Sequence, residues 1–198
     1  MEKVQKSVKR SLSFKKPGEV LLISDFRSLG TDVAVRKSLS RLAKEGTIMR
    51  LTSGVYYKPK VDPILGPIRP SAERVVEVLA KKEKIKVKPA GAYAVHKLGL
   101  TTQVPTKLTY ITDGSPRLLK IGKQSVVLKS TTAKKLSLKG QYSSLLIQAL
   151  EEIGTENLPA ETEKRIQEIL VLEKPADLNH DLELATGKIH DYLIKAIK

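Results

Sequence analysis

Arg36, Lys37, Ser40, Arg41 and Lys44 fall within nine residues of the stretch GTDVAVRKSLSRLAKEGTIMRLTSGVYYKPK (30–60). At helical spacing they share the side opposite Val35, Leu39 and Leu42. Arginine is a planar fork that grips phosphate or the O6/N7 edge of guanine. Lysine supplies a point charge for phosphate, and Ser40 is short enough to let the helix approach bases. Val33, on the same side, is suited to a thymine methyl. A helix so loaded fits a polyanion. A merely solvated basic face is the plain alternative.

The charge balance points the same way. The chain has 198 residues and a formal net charge of +15. Residues 1–66 carry +8 (14 Lys and Arg against 6 Asp and Glu), and residues 67–149 carry +12 (16 against 4). Residues 150–198 carry −5 (6 against 11). An excess of this size favours nucleic acid as partner. There is no Cys, so disulfides, thiolate metal sites and Cys nucleophiles are excluded. His96, His180 and His190 lie too far apart in sequence for a ligand motif, so no metal or cofactor is expected. GxxxxGK[ST], GxSxG and HExxH are all absent. No apolar run approaches the ~18 residues of a membrane span, and the N-terminus lacks a signal-like apolar region. A cytoplasmic protein is expected, without catalytic residues.

The elements that would position the basic face are readable. Val4, Val8 and Leu12 mark an amphipathic first helix, and PGEVLLI (17–23) a short strand. Ser24 is placed as N-cap of a short helix, SDFRSL, that ends at Gly30. Thr31 caps the basic helix, which runs to about Glu45 with Gly46 beyond its end. TIMRL and VYYK then make a ribbon around Thr52, Ser53 and Gly54. Helix, turn, helix and β-ribbon is the winged helix-turn-helix order, in which the second helix of the motif enters the major groove. Ser24 and Thr31, at helix N-termini, suit phosphate oxygens. Arg50, Thr52, Ser53 and Lys58 are the expected backbone contacts of the wing.

KPKVDPILGPIRPS (58–71) holds four Pro and one Gly and reads as the domain boundary. The expected fold class is therefore α+β: a winged helix over 1–60, a Pro-rich linker over 61–70, and a mixed α/β domain over 71–198 that ends in helices. In the second domain, helices are expected near 71–83 and 91–99. Strands are expected at 85–88, 106–112, 116–121 and 124–130, with DGSP and Gly122-Lys123 as turns between them. Three helices should follow: YSSLLIQALEEI, ETEKRIQEILVL, and LATGKIHDYLIKAI interrupted by Gly187.

AVRKSLSRLAKEGTIMRLTSGVYYKPK resembles the N-terminal winged helix of AbiEi-type antitoxins from bacterial type IV toxin–antitoxin systems. PAGAYAVHKLGLTTQVPTKLTYITDGSPR (89–117) and KGQYSSLLIQALEEIG (139–154) are similar to a related group of bacterial proteins. The resemblance implies an autoregulatory repressor that binds double-stranded DNA at its own promoter. It also implies antagonism of a nucleotidyltransferase-like toxin, directly or indirectly. The basic second domain and the acidic tail are not part of the family pattern.

Outside the winged helix, Gln103, Asp113 and Arg117 are candidate contacts for a partner. Each has a plainer reading: a loop-closing amide for Gln103 and a hairpin turn for the Asp-Gly of TDGSPR. His96 and Lys97 sit where cations favour a helix C-terminus. The basic strands make either a wet sheet face or a positive platform for nucleic acid or an acidic toxin surface. Two other functions fit the same residues: a protein-interaction module for an acidic partner, and a toxin-modifying enzyme using Asp113 or a Lys with ATP. A dimer would suit a palindromic operator, but no heptads indicate one.

Overall fold

The computed structural model describes residues 2–197. The chain forms two compact units. One comprises Met1–Glu83 with Leu119–Gly122; the other comprises Lys84–Leu118 with Lys123–Lys198. The fold is mixed α+β, as the periodicities require.

The first unit opens with α1 (Glu2–Ser13), β1 (Val20–Leu22) and a 3₁₀ segment (Ile23–Leu29). Then come α2 (Asp32–Lys44), β2 (Met49–Thr52) and β3 (Val55–Tyr57). The three strands pair antiparallel in the order β1-β3-β2, with Val20 opposite Tyr57 and Leu22 opposite Val55. This is the winged-helix arrangement, with β2 and β3 as the wing. Val8, Leu12, Phe26, Val35, Leu39 and Leu42 make its core, so the helical spacings translate directly into one shared apolar face. Gly30 stands where the turn crosses α1 closely: a Cβ there would lie 2.9 Å from a methyl of Val4.

The expected linker is instead structured. β4 (Lys60–Asp62) and β5 (Gly66–Ile68) form an antiparallel hairpin. Asp62 Oδ1 accepts the N–H groups of Ile64 and Leu65, each at 2.9 Å, and Gly66 at φ +69° closes the turn. α3 (Ala72–Glu83) groups with the first unit, so the chain divides after residue 83 rather than across 61–70.

Next come β6 (Val87–Pro89), α4 (Ala92–Lys97), β7 (Lys107–Thr112), β8 (Arg117–Ile121) and β9 (Gln124–Ser130). The sheet order is β6-β7-β9-β8, with β6 antiparallel and β9 parallel to β7. DGSP is therefore not a hairpin turn: β7 and β8 are not neighbours, because β9 lies between them. Alternation reveals strands but carries no information about their order. The chain ends in α5 (Ala133–Leu136), α6 (Ser143–Ile153), α7 (Ala160–Val171), α8 (Pro175–Leu184) and α9 (Gly187–Ile197). Of these, α5 and α8 were not expected, and Gly187 opens a helix rather than interrupting one. Pro175 marks the start of α8, where its missing N–H costs nothing. Leu146, Leu150, Ile166, Ile169, Leu182 and Leu193 bury one another at the centre of these helices.

Candidate nucleic-acid interface

α2 is well specified at its N-terminus. Thr31 Oγ1 accepts from the N–H of Ala34 at 3.4 Å, and Asp32 adds a carboxylate to the first turn. Val35, Ser38, Leu39 and Leu42 are buried. With about 3.6 residues per turn, the ridge pointing directly away from them is Val33, Lys37, Ser40 and Lys44. All four are exposed, as is the cap residue Thr31.

Arg36 and Arg41 are also exposed, but they lie on the two flanks of that ridge, and each already has a partner. Arg36 Nε pairs with Asp32 Oδ2 at 2.6 Å. Asp32 keeps the guanidinium firmly protonated through that hydrogen bond and its charge. Arg41 Nη1 donates to Gln5 Oε1 of α1 at 3.3 Å, and Gln5 Nε2 reaches Glu45 Oε1 at 3.4 Å. These pairs are open to water and so can be exchanged at little cost. Sequence spacing found every member of the basic face but did not separate its crest from its edges.

On the wing, Arg50 is exposed and its Nε donates to the carbonyl of Thr52 at 3.3 Å, which shapes the tip. Ser53 is exposed and Thr52 is half-buried; a shift of register between Arg50 and Thr52 twists the ribbon there. Two expected contacts are corrected. Lys58 Nζ donates to the carbonyls of Leu12 (3.2 Å) and Lys15 (2.7 Å), so it closes the C-terminal end of α1 instead of facing outward. Ser24 is exposed inside the 3₁₀ segment and caps nothing; Asp25 Oδ2 accepts the N–H of Leu22 at 2.9 Å in that role.

Gln103 lies exposed in the loop between α4 and β7, where its N–H meets Thr101 Oγ1 at 3.2 Å. Asp113 lies in the β7–β8 connection, and half-buried Arg117 opens β8 just beyond it. Asp113 Oδ1 accepts the N–H of Lys86 at 2.7 Å and the Gly114 N–H reaches Thr112 Oγ1 at 2.9 Å, which ties this connection to the start of β6. Lys97 sits over the ring of Tyr93 at 5.7 Å in the last turn of α4, where a cation suits the helix end.

Two of the tail's acids are not surface at all. Asp181 is fully buried and Glu173 nearly so. Asp181 accepts from the N–H groups of Lys139 (2.7 Å) and Gly140 (2.9 Å), from Ser143 Oγ (2.7 Å) and from His180 Nδ1 (3.0 Å). Glu173 accepts from the N–H groups of Tyr142 and Ser143, each at 2.7 Å, and from Lys174. Burial alone would raise both carboxyls, but the donated hydrogen bonds win and leave both below their ordinary values. The pair clasps the N-terminus of α6. A side chain on Gly140 would strike Ser143 Oγ and the Glu173 carboxylate. Ser143 is 1 % exposed and donates to Asp181, which also accepts the N–H groups of Lys139 and Gly140, so its hydroxyl is part of the clasp. The only sequence signal was Asp181 at the apolar spacing of Leu178 and Leu182. Among the described residues no group of His, Asp or Glu is arranged to hold a metal. No described helix is long and apolar enough to cross a membrane.

Residues 4–178 match the family of unknown function DUF6088. The chain belongs to that family. A crystal structure of the RV2827C protein from Mycobacterium tuberculosis is similar in fold, with a TM-score of 0.55 at 14 % identity. The alignment covers 98 % of this chain and 76 % of the other. No curated protein matches the sequence.

Proposed function

We propose that this member of DUF6088 is a DNA-binding, autoregulatory transcriptional repressor and the antitoxin of a type IV toxin–antitoxin system, set against a nucleotidyltransferase-like toxin. The observation that carries the DNA half is the exposed crest Val33, Lys37, Ser40 and Lys44 on the second helix of a winged-helix motif. Exposed Thr31, Arg36, Arg41, Arg50 and Ser53 extend the same polar, basic character around it. Lys37 and Lys44 neutralise phosphates, Ser40 and Val33 meet base edges, and the wing follows the backbone. Arg36 and Arg41 exchange Asp32 and Gln5 for phosphate oxygens on docking. The antitoxin half rests on the resemblance of the winged-helix stretch to AbiEi-type antitoxins, and of the LGLTTQVP…YITDGSPR stretch to a related group of bacterial proteins.

Binding to the DNA upstream of its own gene, titrated against salt, tests the first half. Tight, selective binding that falls steeply with salt supports it. Weak binding, equal on unrelated DNA, rejects it and favours a protein-docking surface. Co-expression with an adjacent nucleotidyltransferase-like gene tests the second half, with rescue of growth as the expected result.

A further inference from the structure

The turn between α1 and β1 and one face of α3 enclose a cleft of about 660 Å³ within the first unit. Its lining carries four cations, Lys16, Arg74, Lys81 and Lys82, against one acid, Glu19. Neither wall is loose. Lys16-Pro17-Gly18-Glu19 is a type II turn: the N–H of Glu19 donates to the carbonyl of Lys16 at 3.1 Å, and Gly18 takes φ +81° after Pro17. The N–H of Gly18 donates to the Lys58 carbonyl at 2.8 Å, and the N–H of Lys58 to the Glu19 carbonyl at 3.0 Å. The turn is thereby tied to the residue that follows β3. On α3, Arg74, Val78, Lys81 and Lys82 recur at i, i+4, i+7 and i+8 and so share one face.

The charges of this lining are not equally available. Glu19 is engaged by its own turn: Oε2 accepts the N–H of Lys16 at 3.0 Å and Oε1 the ammonium of Lys15 at 3.1 Å. Burial alone would raise its carboxyl, but those hydrogen bonds and the charges of Lys15 and Lys82 hold it below its ordinary value. Lys82 Nζ donates to the carbonyl of Val20 at 3.3 Å and pairs with Asp25. Arg74 pairs with Glu77 at 3.0 Å, with both side chains largely exposed, so that contact is exchangeable. Lys16 and Lys81 are exposed, and neither is ion-paired among the described residues. Two unpaired like charges on one concavity focus a positive potential inside it.

We propose that this cleft binds a nucleoside di- or triphosphate. The terminal phosphate carries close to two negative charges at neutral pH, which Lys16 and Lys81 match. Arg74 leaves Glu77 for the next phosphate, whose oxygens suit its planar fork. Pro17 and Val78 offer the nucleoside an apolar wall. The volume falls inside the range of roughly 300–1,000 Å³ found for small-molecule sites, and is far more than a bare phosphate fills. No residue of α2 or of the wing contributes to the lining, so the site is separate from the proposed DNA surface and does not rest on the repressor reading.

Calorimetric titration of the full-length protein without DNA, using ADP, pyrophosphate and adenosine in turn, reads this directly. ADP should bind with a Kd on the order of 10–100 μM, pyrophosphate about tenfold more weakly, and adenosine without saturation. Lys16→Gln with Lys81→Gln should weaken ADP at least ~10-fold and leave the urea midpoint in place, since both side chains stand in water. Lys134→Gln with Lys195→Gln, the same charge change on exposed residues of the second unit, should leave ADP affinity unchanged. Four results overturn the proposal. ADP does not saturate. The two double variants weaken it equally, which marks a diffuse response to net charge. Pyrophosphate binds as tightly as ADP, which leaves a bare anion site. Or the Lys16/Lys81 variant loses affinity for DNA without nucleotide, which puts the cleft in the path of the duplex. Nucleotide and DNA are titrated separately, so absence of ADP binding leaves the repressor reading untouched.

Discussion

α2 and the head of α6 use similar residues in opposite ways. On α2, Lys37, Ser40 and Lys44 stand in water, with no partner needed by the fold. At α6, Glu173, Asp181 and Ser143 are buried, with their acceptors filled by named donors within 3.0 Å. The first arrangement costs the fold little and leaves charge available for a ligand. The second takes charge out of water and is tolerable only because it is paired completely. Charge therefore does different work in the two places: an offer to a partner in one, a specification of the chain's own geometry in the other. Substitutions should divide along the same line.

The largest effect is expected at the clasp. Asp181→Ala strands the N–H groups of Lys139 and Gly140 and the hydroxyl of Ser143, and should cost about 3–5 kcal/mol of stability in urea unfolding. A loss under about 1 kcal/mol would show that the buried acid is ordinary surface charge after all. Acid should attack the same point. The carboxyls of Asp181 and Glu173 titrate lower folded than unfolded, so their contribution is complete above the ordinary values near 3.8 and 4.5. It is lost as pH falls through the lowered folded values. Protection of the 139–144 amides, measured against their intrinsic exchange rates, should fall in that window and stay constant from pH 5 to 7.

On α2 the expectation is reversed. Lys37→Ala with Lys44→Ala should lower affinity for upstream DNA tenfold or more and reduce the salt slope by about 2. The unfolding midpoint should hardly move. A midpoint that fell with affinity would erase the contrast. Lys58→Ala gives the smallest effect and the sharpest distinction, because sequence placed it with the DNA contacts. It should cost about 1 kcal/mol through the end of α1 and leave the salt slope unchanged.

The winged helix was legible because local periodicity and local punctuation agree: Val35, Leu39 and Leu42 share one face, and Thr31, Gly46 and Gly54 mark the ends. The same locality hid the true role of Lys58, whose acceptors lie 43 and 46 residues away. The β4–β5 hairpin was illegible because its prolines read as a breaker, whereas the deciding contact is one Asp62 side chain on its own turn. Strand positions in the second unit were readable from alternation, but the placement of β9 between β7 and β8 is a long-range choice without local signal. The clasp was missed for a related reason. An acid on a helix looks like surface until its donors, some 30 to 42 residues upstream, are known.

That separation matters while the chain is being made. Among the described residues, the apolar cluster around Phe26 and Leu39 draws on side chains up to Tyr56, so it can begin to close once they emerge. The head of α6 stays unclasped until Glu173 and Asp181 follow, and β7 has no parallel neighbour until β9 is complete. A ribosome stalled late in the message would therefore carry a finished winged helix and an unfinished second unit. On the proposed reading, interrupted synthesis would still deliver operator-binding polypeptide, separating the two activities in time even though one gene encodes both.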